Sequence, residues 1–354
     1  MVDFLIIGQG LAGSLLAWEL IQRGCKVLVV DNGEKNASQV AAGVINPVTG
    51  MRFVKSDNVD LQLPVAISCY AQLSDFFQEA FFIEKPMVRI FKSERESDEA
   101  RKRLSNPDYQ PYLNNIRSQE SSIGSIATPC GYLEQKQNGY LLTQPLLNCL
   151  KAYFISRDSY CNDNLSYQDI QTEPTLSWKG IYPGEIIFCE GYKASRNPWF
   201  SWLPFEPVKG EILTLRHETI LPDKILNYGN WLIPLNDHQI RIGATFDREN
   251  LDTLTTEEGK NELLKAVSKL SSALSEPTLI NHQANIRPCT SDRHPFIGKH
   301  PKHKQLAIFN GFGAKGSLQI PWFSQCFADH LLSAKPLPAS ADIGRHLKKH
   351  YADQ

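Results

Sequence analysis

No sign of charge dominates this chain. Lys plus Arg number 37 and Asp plus Glu 38 across 354 residues, a formal net charge of -1. That balance argues against the broad basic face with which nucleic-acid and anionic-membrane binders hold their partners, although a local patch would not register in a total. Long apolar runs are missing too. Nothing approaches the roughly 18 uninterrupted apolar residues of a membrane helix. The apolar opening, Val2 to Trp18, is interrupted by Asp3 and Gln9 and has no basic segment before it, so it reads as structure and not as a signal peptide. The eight cysteines (Cys25, Cys69, Cys130, Cys149, Cys161, Cys189, Cys289 and Cys326) form no CxxC and no close cluster with histidine. Neither a zinc site nor a disulfide framework is readable from that spacing, and a cytoplasmic protein with reduced thiols and no metal is expected. Internal repeats and low-complexity tracts are also missing.

What is present is a globular composition, 42% hydrophobic and 21% charged with 22 Gly and 21 Pro, which rules out disorder, collagen and coiled coil. The length exceeds one ordinary core, so two domains are expected. The chain opens as a βαβ unit. Val2 to Ile7 is a short apolar run, Gly13 to Arg23 carries Leu15, Leu16 and Leu20 at helical spacing, Gly24 stops that helix, and Lys26 to Val30 is a second buried-type strand. Leu61 to Phe82 and Glu94 to Leu104 look helical, and Asn138-Gly139 looks like a hairpin turn. Glu185 to Phe188 is a strand, and the proline-rich Pro198 to Pro207 looks like a domain crossing. Lys209 to Arg216, Trp231 to Leu235 and Gln239 to Phe246 alternate like antiparallel strands, and Glu257 to Leu274 repeats like a helix. The end returns to α/β with the strand Leu306 to Phe309, a glycine-rich turn from Gly311 to Gly316, and a helix from about Leu318 to Leu332.

The loop GQGLAG sets Gly8, Gly10 and Gly13 in GxGxxG spacing between the first strand and the first helix. Gly8 allows the tight turn, Gly10 lets the backbone approach a pyrophosphate, and Gly13 lets helix and strand pack closely. The N–H groups that open the helix, at Leu11 and Ala12, hold the anion. Asp31, ending the second strand, is placed to accept from a ribose diol. An adenine dinucleotide follows from this order, but NAD and FAD present the same pyrophosphate and ribose, so the loop does not choose between them.

Four further segments resemble one family. ASQVAAGVINPVTG, Ala37 to Gly50, resembles the flavin-contacting segment of the D-amino-acid oxidase, glycine oxidase and sarcosine oxidase superfamily. Its small residues Ser38, Ala41, Ala42 and Gly43 suit a backbone that passes close to a flat isoalloxazine. IIFCEGYKAS, Ile186 to Ser195, looks like the family's strand and glycine turn over the dinucleotide, with Gly191 at the close approach. IRPCTSDRHPFIG, Ile286 to Gly298, resembles its arginine-proline signature, and IFNGFGAKGSLQIP, Ile308 to Pro321, its glycine loop and helix start beneath the flavin pyrimidine. The resemblance implies an α/β fold with a discontinuous FAD-binding Rossmann-type domain (1–82, 140–203 and 286–354) and an α+β substrate domain with an antiparallel sheet (83–139 and 204–285).

It also implies a chemistry: hydride removal from the carbon beside an amine, delivered to flavin N5. Arg287, at the arginine-proline position, is the candidate clamp for a substrate carboxylate, with a structural salt bridge as its alternative. Gly313 and the N–H groups of Gly316, Ser317 and Leu318, with the Lys315 ammonium, are candidates to face the flavin pyrimidine, where reduction develops charge; Lys315 has solvent as its alternative. Trp231 stands where glycine oxidases commonly carry a tyrosine near the substrate, and Tyr228 is placed to replace the lost hydroxyl, unless either ring is core. Members that attach flavin covalently do so through a cysteine near the last glycine loop. Gly311 to Gly316 contains none and Cys326 lies about two turns into the predicted helix, so a noncovalent FAD is expected. His294 is expected to support the site from behind or to be structural. The expected partner is a small amine or amino acid. Second comes tRNA, because the AAGVINP and GFGAKG segments also resemble the oxidase domain that acts on carboxymethylaminomethyluridine, and the near-zero charge ranks it lower. A flavoprotein that only passes electrons or only binds is the third reading; the oligomeric state is not legible.

Overall fold

The computed structural model describes residues 2–117, 121–124, 126–271, 274 and 276–347. Its first sheet has six strands in the order Tyr160–Asn162, Val27–Asp31, Val2–Ile7, Pro183–Phe188, Leu306–Asn310 and Phe296–Lys299. The first five run parallel and the last is antiparallel. Such strands are covered on both faces, which is why they read as unbroken apolar runs: Leu5, Ile6, Val29, Ile186, Ile187 and Ile308 are all buried. One face is covered by the first helix, Leu11–Gln22, and the last long helix, Gly316–Ser333, which pack on each other, and the helix Val59–Phe77 packs on the latter.

The second sheet has eight strands, in the order Thr278–Arg287, Val208–Arg216, Gln239–Gly243, Trp231–Asn236, Ile225–Asn227, Met87–Ile90, Tyr132–Gln135 and Leu113–Arg117. All its pairings are antiparallel except Ile225–Asn227 with Met87–Ile90. One face packs through Leu213, Leu215, Ile240 and Ile242 on Leu263, Val267 and Leu270 of the helix Glu257–Leu270. The other face carries Ile212, Ile233 and Trp231 toward Val40, Ala42 and Tyr140, and closes a cleft against the first sheet's loops. Strand alternation thus gives one face to the core and one to the cleft.

Several local expectations are corrected. The expected hairpin at Asn138-Gly139 does not form: Tyr132–Gln135 belongs to the eight-stranded sheet, while Gly139–Leu141 pairs with Val44–Ile45 and Phe82–Glu84. A Cβ on Gly139 would lie 2.4 Å from the Ile83 carbonyl oxygen, so the glycine serves that crowded crossing and not a turn. The helix expected from Leu61 to Phe82 runs from Val59 to Phe77, because Gln78 caps it in the left-handed region and Phe82 starts a strand. The helix expected to reach Leu274 ends at Leu270, where Ser271 is extended, yet Leu274 is still buried. Among the described residues no helix is long and apolar enough to cross a membrane.

Candidate active site

Between the two sheets lies a cleft of about 1040 Å³, at the upper end of the range for ligand sites and large enough for a dinucleotide with a small substrate. The fold brings one set of separated segments to it: Gly8 to Ala12, Asp31 to Gly43, Glu190 to Lys193, Arg287-Pro288 and Phe312 to Ser317 all contribute lining residues.

The glycine loop starts from a geometric necessity. Gly8 has φ +104°, and a Cβ there would lie 2.6 Å from the Cys189 carbonyl oxygen. A Cβ on Gly13 would lie 1.9 Å from the Gly8 carbonyl oxygen, so this turn can close on the helix only with glycine at both places. Gly13 itself does not line the cleft, whereas Gly10 does. The first helix has no side-chain cap and no acidic residue in its first turn. The Leu11 N–H donates to Ser38 Oγ (3.0 Å), which leaves the Ala12 N–H, on the cleft lining, for an anion. Asp31 is held by the Gln9 and Gly33 N–H groups, each at 2.8 Å from one of its carboxylate oxygens, and its remaining lone pairs are open toward the cleft it lines.

The segment after Asp31 is fixed by a reciprocal cap. Asn36 Oδ1 accepts from the Ser38 and Gln39 N–H groups, and Gln39 Oε1 accepts from the Asn36 N–H. Ala41, Ala42 and Gly43 then run along the cleft. Gly43 is required by packing, since it has φ +69° and a Cβ would lie 2.1 Å from the Leu141 carbonyl oxygen. Gly191 has φ +59° with open space around it, so there the conformation alone selects glycine. Asn310 Nδ2 donates to the Gly191 carbonyl (2.9 Å) and Asn310 Oδ1 accepts from the Gly311 N–H (2.8 Å), which ties this turn to the last glycine loop.

The last long helix begins at Gly316 with no side-chain cap and no acid in its first turn. Pro321 has no N–H for the Ser317 carbonyl four residues earlier, and the buried Tyr70 hydroxyl donates to that carbonyl instead (2.6 Å). Gly313, Gly316 and Ser317 line the cleft; Leu318 turns into the core, and its N–H bonds the Lys315 carbonyl. Lys315 does not line the cleft. Its ammonium donates to Ser56 Oγ (3.2 Å), and burial pulls its pKa below the ordinary lysine value, opposed by Asp57.

At the other end of the cleft the substrate sheet supplies Trp231 and Arg287. Each lies across a glycine of the neighbouring strand. A Cβ on Gly210 would sit 1.8 Å from Arg287 Nη2, and one on Gly243 2.6 Å from Trp231 Cζ2. Arg287 Nη2 donates to the Thr245 carbonyl (3.1 Å), and no carboxylate lies within ion-pair distance among the described residues. Burial pulls its pKa down, slightly offset by Cys289. Tyr228 points the other way. Its hydroxyl donates to the Ala266 carbonyl (3.0 Å), and its ring packs with the core on the helix face of the sheet. Cys326 is half-buried on the last helix, away from the cleft lining, and burial pushes its thiol up to about 11. His294 pairs with Asp57 at 3.8 Å and also stands outside the lining.

Sequence reasoning missed Glu190, Gly210, Gly229 and Gly243. Glu190 is a half-buried residue in the cleft wall whose carboxyl accepts from the Tyr167 hydroxyl (2.7 Å) and Asn197 Nδ2 (2.9 Å), and desolvation raises its pKa against those two donors and Lys193. Its signal was a lone acid inside an apolar strand end. The open helix N-terminus, the glycine cradle that a Cβ would fill, and the acid at the second strand together fit FAD.

Comparison with known proteins agrees. The family model for FAD-dependent oxidoreductases of the DAO type matches residues 3–330. A glycine oxidase from Pseudomonas putida is 32% identical over 159 residues, 45% of this chain and 41% of that protein. The tRNA 5-methylaminomethyl-2-thiouridine biosynthesis bifunctional protein MnmC of Acinetobacter baylyi is 23% identical over 96% of this chain. The chain spans about half of that relative, 54% of its length. The crystal structure of glycine oxidase from Geobacillus kaustophilus superposes with a TM-score of 0.80 at 20% identity, covering 96% of both chains, which establishes the fold.

Proposed function

We propose, from the premise that this chain belongs to the DAO family of FAD-dependent oxidoreductases, that it oxidises the C–N bond of a small amine or amino acid bearing a carboxylate, of the glycine, N-substituted glycine or D-amino acid type. One observation carries the reading: Arg287 is a half-buried guanidinium in the cleft, its pKa pulled down by desolvation, with a single carbonyl partner and no carboxylate at hand among the described residues. An unpaired cation that is half removed from water is costly, and a substrate carboxylate would relieve that cost through a two-pronged, charge-assisted contact.

Bound FAD supplies the hydride acceptor for the C–H bond beside the nitrogen. The chain's own groups position the substrate. Arg287 fixes the carboxylate, Trp231 forms an apolar wall beside it, and the strand-borne placement of both limits the poses in which the carbon faces the cofactor. The carboxylates that line the cleft, Asp31, Glu34, Asp163 and Glu190, all lie in its dinucleotide part, so no acid competes with the substrate for Arg287. The amine is taken to bind neutral, which removes the need for a strong base. In this reading segments 1–82, 140–203 and 286–354 hold the cofactor, segments 83–139 and 204–285 face the substrate, and the setting is the cytoplasm.

A carboxymethylaminomethyl group on tRNA uridine is the second reading, because it too is an N-substituted glycine and the same Arg287 would take its carboxylate. The test is anaerobic addition of glycine, sarcosine and D-amino acids to the purified yellow protein. Loss of the oxidised flavin spectrum with at least one of them supports the proposal. An unchanged spectrum with all of them, and with a modified tRNA, would leave a flavoprotein that does not oxidise amines.

A further inference from the structure

One ion pair bridges the dinucleotide part of the cleft. Lys193 Nζ stands 2.6 Å from Glu34 Oε2, and among the described residues no other ion pair has both partners on the cleft lining. The two side chains are 51% and 65% exposed, so the pair contributes little to folding. Its place is what gives it a consequence.

The sheet order sets that place. Val2–Ile7 lies between Val27–Asp31 and Pro183–Phe188, and the three strands run parallel, so their exits stand side by side on one edge of the sheet. The glycine loop leaves the middle strand, Glu34 follows the strand on one side of it, and Lys193 follows the strand on the other. Gly8, Gly10 and Ala12 line the same cleft. The pair therefore joins the two walls of the groove that has the glycine loop between them.

Both ends of the pair rest on fixed backbone. On one side Asn32 Oδ1 accepts from the Glu34 N–H (3.0 Å), Asn32 Nδ2 donates to Asn164 Oδ1 (2.8 Å), and Asn285 Nδ2 donates to the Lys35 carbonyl (3.2 Å). On the other, Lys193 sits in the short helix Gly191–Arg196, whose first carbonyl accepts from Asn310 Nδ2 (2.9 Å). Opening the bridge thus takes rotation of two long side chains and no movement of a loop.

We propose that Glu34 and Lys193 form a clasp over the adenosine diphosphate half of FAD, which closes on the cofactor and slows its release. The competing role for Lys193 is a direct contact with the phosphates, with Glu34 a bystander. Charge separates the two. The diphosphate is anionic, so by field alone loss of the Glu34 carboxylate would tighten the hold on FAD and loss of the Lys193 ammonium would loosen it. A clasp fails on loss of either partner, so both losses then act in the same direction.

The purified holoenzyme is diluted far below its FAD dissociation constant, and the change in flavin fluorescence gives the release rate. No substrate is present, so the outcome is independent of the oxidation proposed above. Glu34→Gln and Lys193→Gln should each release FAD about two- to fivefold faster than wild type, the range an exposed ion pair supports. In the double variant the two effects should not add, and the exchanged pair, Glu34→Lys with Lys193→Glu, should return toward the wild-type rate. Release from Glu34→Gln at the wild-type rate or slower would overturn the clasp and leave Lys193 as a phosphate contact. Additive effects in the double variant, or an exchanged pair that loses FAD as fast as the single variants, would overturn it as well.

Discussion

Gly210→Ala is the sharpest perturbation available, because it should disable Arg287 without touching its charge. Gly210 sits inside the strand Val208–Arg216, and a Cβ there would lie 1.8 Å from Arg287 Nη2 and 2.5 Å from Cζ. Neither distance is tolerable, and the backbone on both strands is held by paired hydrogen bonds, so the guanidinium must leave. Gly210 has no left-handed φ, so alanine is conformationally permitted and fits a strand interior better than glycine. The variant should therefore fold and melt at or above the wild-type temperature. A hydrogen bond to a charged group contributes about 1.5–3 kcal/mol, so losing the aligned guanidinium should lower kcat/KM for carboxylate-bearing amines by roughly 10- to 150-fold. Neutral amines should change little. The assay is steady-state kinetics of both substrate classes, beside flavin content and a thermal melt. A cycle with Arg287→Met makes the test strict, since Gly210→Ala should have almost no effect once the side chain it displaces is gone. Equal losses for neutral and anionic amines, or additive losses in the cycle, would refute the placement of Arg287 as the carboxylate clamp.

Further outcomes follow from other parts of the site. Gly13→Ala forces a Cβ to 1.9 Å from the Gly8 carbonyl and should yield protein largely free of flavin; wild-type flavin content on purification would mean that the loop does not hold the pyrophosphate. Tyr228→Phe removes one hydroxyl bonded to the Ala266 carbonyl, so it should cost about 1 kcal/mol of stability and leave KM unaltered; a raised KM would return Tyr228 to the substrate. Glu190 gives a pH dependence. Burial raises its native pKa, so its contribution to stability is complete below the unfolded carboxyl value and is lost as pH rises through the native one. Melting temperatures of wild type and Glu190→Gln should therefore diverge across that window, and parallel curves would contradict a raised carboxyl pKa at Glu190.

Much of the architecture was readable because it rests on local rules. Continuous apolar strands, a glycine loop opening a helix, and an acid ending the next strand each have one dominant physical reading, and they recur here in that order. What failed depended on partners distant in sequence. Asn138-Gly139 has hairpin chemistry, yet the strands on either side of it pair in different sheets, a choice made by Val44 and Phe82 and not by the turn. Trp231 and Tyr228 are three residues apart and equally aromatic, but the turn between them sends one to the cleft and the other onto Ala266.

The isolated strand glycines are the most instructive case. A glycine within a strand pattern says that something approaches closely, without saying what. In this sheet the answers form a pair: Gly210 admits Arg287 and Gly243 admits Trp231. Both side chains lie against a place where the neighbouring strand has no Cβ, so guanidinium and indole sit close to the sheet backbone on the side that lines the cleft. Two strand glycines therefore set the substrate end of the cleft, because a Cβ at either would push the guanidinium or the indole out of the wall that orients the reacting amine.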